Sequence, residues 1–291
     1  MYDIAVIGGD IRQIYMIKRL LSCHFSIITY GLSHPLIEGL VKHGATMADT
    51  IQASSVIVSA IPFSKDGYAI SALTSSSDMT VSCFLDSITT GQTIFAGMFS
   101  KEIQTAFIEK KVQFFDFMTN DSVAILNGIA TAEGSIMKAI EVSSGNLHNS
   151  KVLITGFGRC GKVLAQKLSG LSCQVTIATR TASDRALAKA LGFYAISFDE
   201  LSSYISEFEY IFNTVPTLII DKNLLKKVST EATLIDLASL PGGFDFSSAR
   251  ELSLNIHHFL GIPGKVAPKA SGDILVDFIF QTNVLRKKVS L

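Results

Sequence analysis

The stretch KVLITGFGRCGKVLAQKL, Lys151 to Leu168, decides how the rest of the chain is read. KVLIT is a short apolar run that predicts a strand, and KVLAQKL carries the spacing of an amphipathic helix. Between them Gly156, Gly158 and Gly161 form GxGxxG. Glycine-rich turns are common, so the spacing gains meaning only from the strand before it and the helix after it. In that context the glycines allow a tight turn, close approach of a pyrophosphate and close packing of helix on strand. The phosphate charge then falls on the helix N-terminus. Arg159 and Cys160 lie inside the turn and join the candidate cofactor residues. Cys160 is either a filler or a thiol acidified by the helix end.

Two dozen residues after Gly156, where an NAD site places a carboxylate, the chain reads ATRTASDR, with Arg180 in that position. A carboxylate accepts hydrogen bonds from a ribose 2′-hydroxyl; an arginine attracts a 2′-phosphate. The reading is therefore NADP, with NAD as the alternative. Thr179, Thr181 and Ser183 offer hydroxyls, and Arg185 can clamp the same phosphate. Further along, Asn213, Thr214, Pro216 and Ser239 follow two later strands and are expected near the nicotinamide ribose.

The totals point to small molecules or another protein as partners. At 291 residues the chain is long enough for two domains. Apolar residues make up 48%, and 25 basic residues balance 25 acidic ones, which argues against a disordered tail or a nucleic-acid surface. Cys23, Cys83, Cys160 and Cys173 show no metal-like spacing and read as reduced thiols. No metal site is expected. MYDIAVIGG opens as an apolar strand without a basic leader, and no apolar run approaches the roughly 20 residues of a membrane span. The expectation is a soluble, cytoplasmic protein.

Strand-like runs YDIAVIG, FSIITYG, SSVIVSAIP, VSCFLD, TIFAG and VQFFDF alternate with amphipathic stretches, including a helix from about Pro35. Asn120 to Val142 reads as a long helix or a broken pair, followed by the linker SSGNLHNS. Strands KVLIT, QVTIAT, YIFNTV and TLIDLA follow, with shorter ones near Tyr194 and Asn255, and the helix after the glycine turn is expected to turn Val163, Leu164, Leu168 and Leu171 to the sheet. The last segment, SGDILVDFIFQTNVLRKK, is an amphipathic helix ending in bases. The expected fold is α/β: two doubly wound parallel-sheet domains, the second a Rossmann dinucleotide-binding domain, with a C-terminal helix returning to the first. The expected boundaries are 1–119, a connecting helix and linker at 120–148, the NADP-binding domain at 149–264, and the returning helix at 265–291.

The assembled stretches resemble the family of dipicolinate synthase A subunits. They are AVIGGDIRQIYMIKRL, FFDFMTNDSVAILNGIATAEGSI, GFGRCGKVLAQKL, YIFNTVP, LIDLASLPGGFDF and GIPGKVAPKASGDIL, which together span almost the whole chain. LASLPGGFDF followed by PGKVAPK is far more specific than GxGxxG. The chain departs at Ala130, where the family has proline before TAEG, and at Ala270-Ser271, where it favours Thr-Ala. The resemblance implies a substrate derived from 4-hydroxy-tetrahydrodipicolinate or dihydrodipicolinate. It also implies a partner, the flavoprotein-like B subunit of the synthase, and the mother-cell cytoplasm of a spore-forming bacterium.

Oxidising such a dicarboxylate requires cations or amides to hold it and a group to take a proton. The loops after strands are the place to look. Arg12 can pair with a carboxylate bidentately, and Lys65 and Lys269 can act as point charges. Asn127 and Thr131 are polar positions in a small, apolar helix and are read as substrate-binding. Glu133, His257 and Lys265 are the candidate catalytic groups. Hydride transfer is expected between the domains. Two other readings stand beside this one. One is a shikimate-dehydrogenase-like or hydroxyacid NADP oxidoreductase, since TRTASDRA resembles the NADP loop of shikimate dehydrogenase, although that reading needs a lysine and aspartate pair for an alcohol. The other is a catalytically silent NADP-binding scaffold for the flavoprotein. On every reading a homo- or hetero-oligomer is expected.

Overall fold

The computed structural model describes residues 1–285, so the bases Arg286, Lys287 and Lys288 of the last segment lie outside the described residues. The chain divides into two units, Met1–Ala124 with Ala267–Leu291, and Ile125–Val266.

In the first unit the order is β1 (Ile4–Ile7), α1 (Ile11–Ser22), β2 (Ile27–Tyr30), β3 (Lys42–His43), α2 (Met47–Gln52), β4 (Val56–Ser59), α3 (Val81–Ser87), β5 (Thr93–Ala96), α4 (Lys101–Glu109) and β6 (Gln113–Asp116). All six strands are parallel, in the order β3-β2-β1-β4-β5-β6. The central strands IAVI and VIVS are buried throughout, the pattern of a sheet covered on both faces. Successive side chains serve opposite cores: Ile4, Val6 and Val58 on one side, Ala5, Ile7 and Ile57 on the other. Each large aliphatic side chain among them, fully buried, contributes roughly 1.5–3 kcal/mol.

The long helix α5 (Asp121–Val142) leads into the second unit. There follow β7 (Lys151–Thr155), α6 (Arg159–Gly170), β8 (Gln174–Ala178), α7 (Ala182–Ala190), β9 (Tyr194–Ile196), α8 (Leu201–Tyr204), β10 (Tyr210–Asn213), α9 (Lys222–Leu225), β11 (Thr233–Asp236), α10 (Phe246–Glu251), β12 (Asn255–His258) and α11 (Ile262–Val266). The sheet runs β12-β11-β10-β7-β8-β9, again all parallel. Counted within its own unit, each sheet has the order 3-2-1-4-5-6 of a doubly wound dinucleotide fold. The expected α/β class with two parallel sheets is therefore what forms.

The final helix α12 (Pro268–Gln281) belongs to the first unit and packs on α1. A Cβ at Gly272 would lie 2.7 Å from the Arg12 carbonyl oxygen, so glycine lets the two helix backbones meet. Arg19 seals the seam, donating to the Asp273 carbonyl at 2.5 Å and to the Asp277 carboxylate.

Three local expectations differ from the structure. VSCFLD forms α3 rather than a strand, because Thr80 caps it by accepting the Cys83 N–H at 3.1 Å. The chain after Pro35 makes only turns, since Gly39 sits at φ +72 and breaks any helix there. Leu171, expected on the sheet, is the C-terminal cap of α6 and is exposed. Helix α5 also has the length and apolar character to cross a bilayer, the one such helix among the described residues. Half of that stretch is buried inside the protein, and Asn127, Thr131, Glu133, Ser135 and Lys138 interrupt it, as in a core helix.

Candidate functional site

Each sheet has a glycine turn between its first strand and first helix, and the two turns differ at the helix N-terminus. In the first unit Gly8 (φ +62) and Gly9 (φ +114) lead to Asp10, whose carboxylate accepts the Arg12 N–H at 2.9 Å and caps α1. Gln13 completes the capping box, its Oε1 accepting the Asp10 N–H at 2.8 Å. The place an anion would take at this helix end holds the protein's own carboxylate.

In the second unit Gly156 (φ +92) makes the turn and Gly158 caps α6 with no side-chain hydrogen bond. Glycine offers no side chain of its own to cap the first N–H groups of α6, which is the arrangement that receives a phosphate. A Cβ at Gly156 would lie 2.5 Å from Thr214 Oγ1, and one at Gly161 would lie 2.4 Å from the Gly156 carbonyl oxygen. Those two glycines are sterically required. Gly158 is not crowded: a Cβ there meets nothing within 4 Å, leaving an open cradle over the helix end. A dinucleotide pyrophosphate fits both its shape and its donors. Arg159 is exposed at the start of α6. Burial pushes the Cys160 thiol above its usual pKa while the Arg159 charge pulls it down. The net direction is upward, opposite to that of a thiol acidified by a helix end.

Beyond β8 the cations divide their work. Arg185 Nη1 donates to the Thr179 carbonyl at 3.0 Å and the Arg180 carbonyl at 2.9 Å, so its charge ties down the strand end. Thr181 caps α7, accepting the Asp184 N–H at 3.1 Å, and Ser183 donates to Thr181 at 3.2 Å. Thr179 is buried. Arg180 is exposed, and its side chain makes no hydrogen bond or ion pair with the described residues.

Three strands end in polar side chains that bond in a row across the sheet. Thr155 Oγ1 donates to Asn213 Oδ1 at 2.6 Å, and Asn213 Nδ2 donates to Asp236 Oδ1 at 2.8 Å. Asp236 also accepts the N–H groups of Ala238 at 2.9 Å and Gly243 at 2.7 Å. All three side chains are fully buried. The row fixes the loops that follow: Asn213 holds the Val215 N–H and carbonyl, while Thr214 donates to the Thr155 carbonyl at 2.8 Å. Pro216 and Ser239 lie on those loops. Thr155 was not among the expected site residues, and Asp236 stood out only as the end of its strand, before Ser239 and the turn Pro241-Gly242-Gly243. Their signal is the polar last residue of the otherwise apolar runs KVLIT and TLID.

The remaining candidates separate by unit. In the first, Arg12 is 7% exposed and committed to Asp10, through Nε at 2.9 Å and Nη2 at 2.7 Å, and to the Ile61 carbonyl. Lys65 is exposed, and Lys269 pairs with Asp273 at 3.0 Å one helical turn away. In the second, Asn127 is 5% exposed and its Oδ1 has no hydrogen-bond partner among the described residues, while Thr131 donates back to the Asn127 carbonyl at 3.0 Å. Next to Asn127, a Cβ at Gly128 would touch the Arg159 carbonyl at 3.7 Å, so α5 runs beside the start of α6. Glu133 pairs with Lys167 at 2.8 Å. His257 lies 2.7 Å from Asn255 Oδ1 on β12, an edge strand about 14 Å from β7. Its pKa is lowered, first by burial and then by the Lys138 charge. The Lys265 ammonium lies 5.2 Å from the Phe259 ring centre. No group of three or more metal-ligating side chains occurs among the described residues.

Sheet order, the open glycine turn and the free cation beyond β8 define the class: a two-unit α/β protein of the nicotinamide-dehydrogenase type. Residues 3–118 match the family described as the N-terminal domain of the dipicolinate synthase A subunit, and residues 138–242 match Shikimate / quinate 5-dehydrogenase. The chain is 29% identical to the dipicolinate synthase A subunit of Bacillus subtilis (strain 168), over 95% of its own length and 94% of that protein's. The crystal structure of that synthase's A subunit from Bacillus subtilis superimposes with a TM-score of 0.86 at 26% identity, covering 97% of this chain and 96% of that one. The crystal structure of its counterpart from Bacillus halodurans gives 0.86 at 25% identity, covering 97% of each. The likeness to the A subunit of dipicolinate synthase thus runs through both units, and it supports an oxidoreductase with a nicotinamide cofactor.

Proposed function

We propose that the chain is the A subunit of a dipicolinate synthase. It oxidises dihydrodipicolinate, or 4-hydroxy-tetrahydrodipicolinate after water loss, to dipicolinate during sporulation, with NADP as cofactor. The observation that carries the reading is the contrast between the two turns: a carboxylate plugs the first, and the second is open to an anion. The similarity over nearly the whole length supports the substrate. The flavoprotein-like B subunit of the synthase is the expected partner, and the mother-cell cytoplasm the expected compartment.

Forming the aromatic ring takes a hydride and a proton from the dihydropyridine, and aromatisation drives the step. The cofactor supplies the hydride acceptor. The residues of the chain do the rest. The first N–H groups of α6 would hold the pyrophosphate, and Arg180, with Thr181 and Ser183, would hold the 2′-phosphate. Lys65 and Lys269 would attract the substrate carboxylates, Lys269 by exchanging Asp273 for the substrate; Arg12 would do so only by giving up Asp10. Asn127 offers an unpartnered buried amide oxygen to a substrate or cofactor donor. Glu133, His257 and Lys265 are the groups that can take the proton.

The test is direct. Purified chain is mixed with dihydrodipicolinate and NADP+, and NADPH absorbance is followed with and without the flavoprotein-like partner. Reduction by this chain, alone or with its partner, is the expected result; none in either case leaves the silent scaffold. The match of residues 138–242 favours a second reading, oxidation of a shikimate-like alcohol, which the same assay tests with that substrate.

A further inference from the structure

We infer that Asp236 biases the cofactor site toward the oxidised, positively charged nicotinamide. The inference rests on the nicotinamide reading above and concerns which redox form the site prefers.

Each hydrogen-bond partner of the Asp236 carboxylate is a donor: Asn213 Nδ2 at 2.8 Å, Ala238 N at 2.9 Å and Gly243 N at 2.7 Å. A protonated carboxyl would need an acceptor for its hydrogen, so the ionised form is the one this environment fits. The side chain is 0% exposed, and no ion pair among the described residues includes it. Its hydrogen bonds come from dipoles; the imidazole of His258, in register with it on β12, bonds the Ala238 carbonyl at 2.8 Å instead. A buried charge normally finds a counter-ion or a metal, and the described residues provide neither.

The location supplies the missing partner. Asp236 is in register with Asn213, and Asn213 with Thr155, at the carboxyl ends of three adjacent strands. The next residues along those strands include Gly156 of the open turn and Thr214, which a Cβ at Gly156 would meet at 2.5 Å. Ligands of open α/β sheets bind beyond these strand ends. Adjacent strands lie about 5 Å apart, so the carboxylate is roughly one to two strand spacings from the switch point between β7 and β10. At such a distance, with an effective dielectric constant of about 20, one unit charge acting on another changes an equilibrium about tenfold or more. The oxidised nicotinamide ring carries a positive charge and the reduced ring does not. The carboxylate therefore stabilises the first and is indifferent to the second.

Calorimetric titration of NADP+ and NADPH tests this without any turnover. In the unaltered chain NADP+ binds more tightly than NADPH; NADPH binding as tightly or more tightly overturns the inference. Asp236→Asn keeps the size, removes the charge and shifts the affinity ratio about tenfold toward NADPH. If circular dichroism finds that variant unfolded, Asp236→Ser, which leaves room for a water at the Gly243 N–H, takes its place. A ratio equal to that of the unaltered chain means that the carboxylate only fastens the loop, and the inference falls. Gly243→Ala is the geometric control, because its Cβ would lie 2.3 Å from Asn213 Nδ2. It weakens both forms with the ratio unchanged; a ratio shift matching Asp236→Asn assigns the effect to loop geometry and overturns the charge. If the unaltered chain retains neither nucleotide, the nicotinamide reading itself has failed, a distinct result.

Discussion

Asp10 and Gly158 hold equivalent places in two sheets of the same strand order: each is the N-cap of the helix after its sheet's first central strand, and only Asp10 fills that place with a carboxylate. One substitution makes the second turn imitate the first. In Gly158→Asp the new side chain has open space and a φ of −79, so it folds without strain and caps α6. Stability is expected to stay level or rise by up to about 1 kcal/mol, while dinucleotide affinity drops at least about a hundredfold. Thermal unfolding and calorimetry read the two effects separately. Retained affinity in a folded variant would show that the cofactor does not use this helix end.

Arg180→Asp is expected to weaken NADP by one to two decades and to spare NAD, in line with loss of a charge-assisted contact of roughly 1.5–3 kcal/mol. Titration of both dinucleotides decides it. Equal losses would mean that this arginine does not read the phosphate.

Glu133 and Lys167 form an exposed pair, so Glu133→Gln should change stability by less than about 1 kcal/mol in urea titrations. Its effect on turnover separates roles. A loss of two or more decades marks Glu133 as the proton acceptor, and near-normal turnover leaves that role to His257 or Lys265.

Thiol chemistry should follow burial rather than proximity to a helix end. Cys83 is exposed, whereas burial raises the pKa of Cys160 and of Cys173. Alkylation at neutral pH, mapped by mass spectrometry, is expected first at Cys83. Faster reaction at Cys160 would mean that the turn does acidify it.

His257 gives a pH dependence with a definite sign. Burial lowers its pKa in the folded chain, so the unfolded chain binds the proton more readily. The folded state therefore loses stability as pH falls through the unfolded value of about 6.5 and keeps losing it down to the folded pKa. His257→Gln should flatten that part of the stability profile. An unchanged slope between about pH 7 and pH 5.5 would assign it to other groups.

Much of the fold is legible in the chain because buried parallel strands are short, apolar and punctuated: IAVI, VIVS, KVLIT, YIFN and TLID all form where their patterns predict. VSCFLD misleads because a short apolar-leaning run suits either element, and a single threonine cap settles it. At the site, GxGxxG and Arg180 stand out in sequence, since turn geometry and charge are local properties. The fates of Arg12, Arg185, Glu133 and Lys269 are not legible. Each is held by a partner that folding supplies, namely Asp10 with the Ile61 carbonyl, two strand-end carbonyls, Lys167 and Asp273. The Thr155–Asn213–Asp236 row likewise needs the strand order, which brings together residues far apart in the chain.

The central claim is that the second turn holds a nicotinamide dinucleotide bearing a 2′-phosphate. Calorimetric titration of the unaltered chain with NADP+ and with NAD+ measures it most directly. The account predicts one site per chain and NADP+ bound at least about tenfold more tightly than NAD+. Binding of neither nucleotide would contradict it.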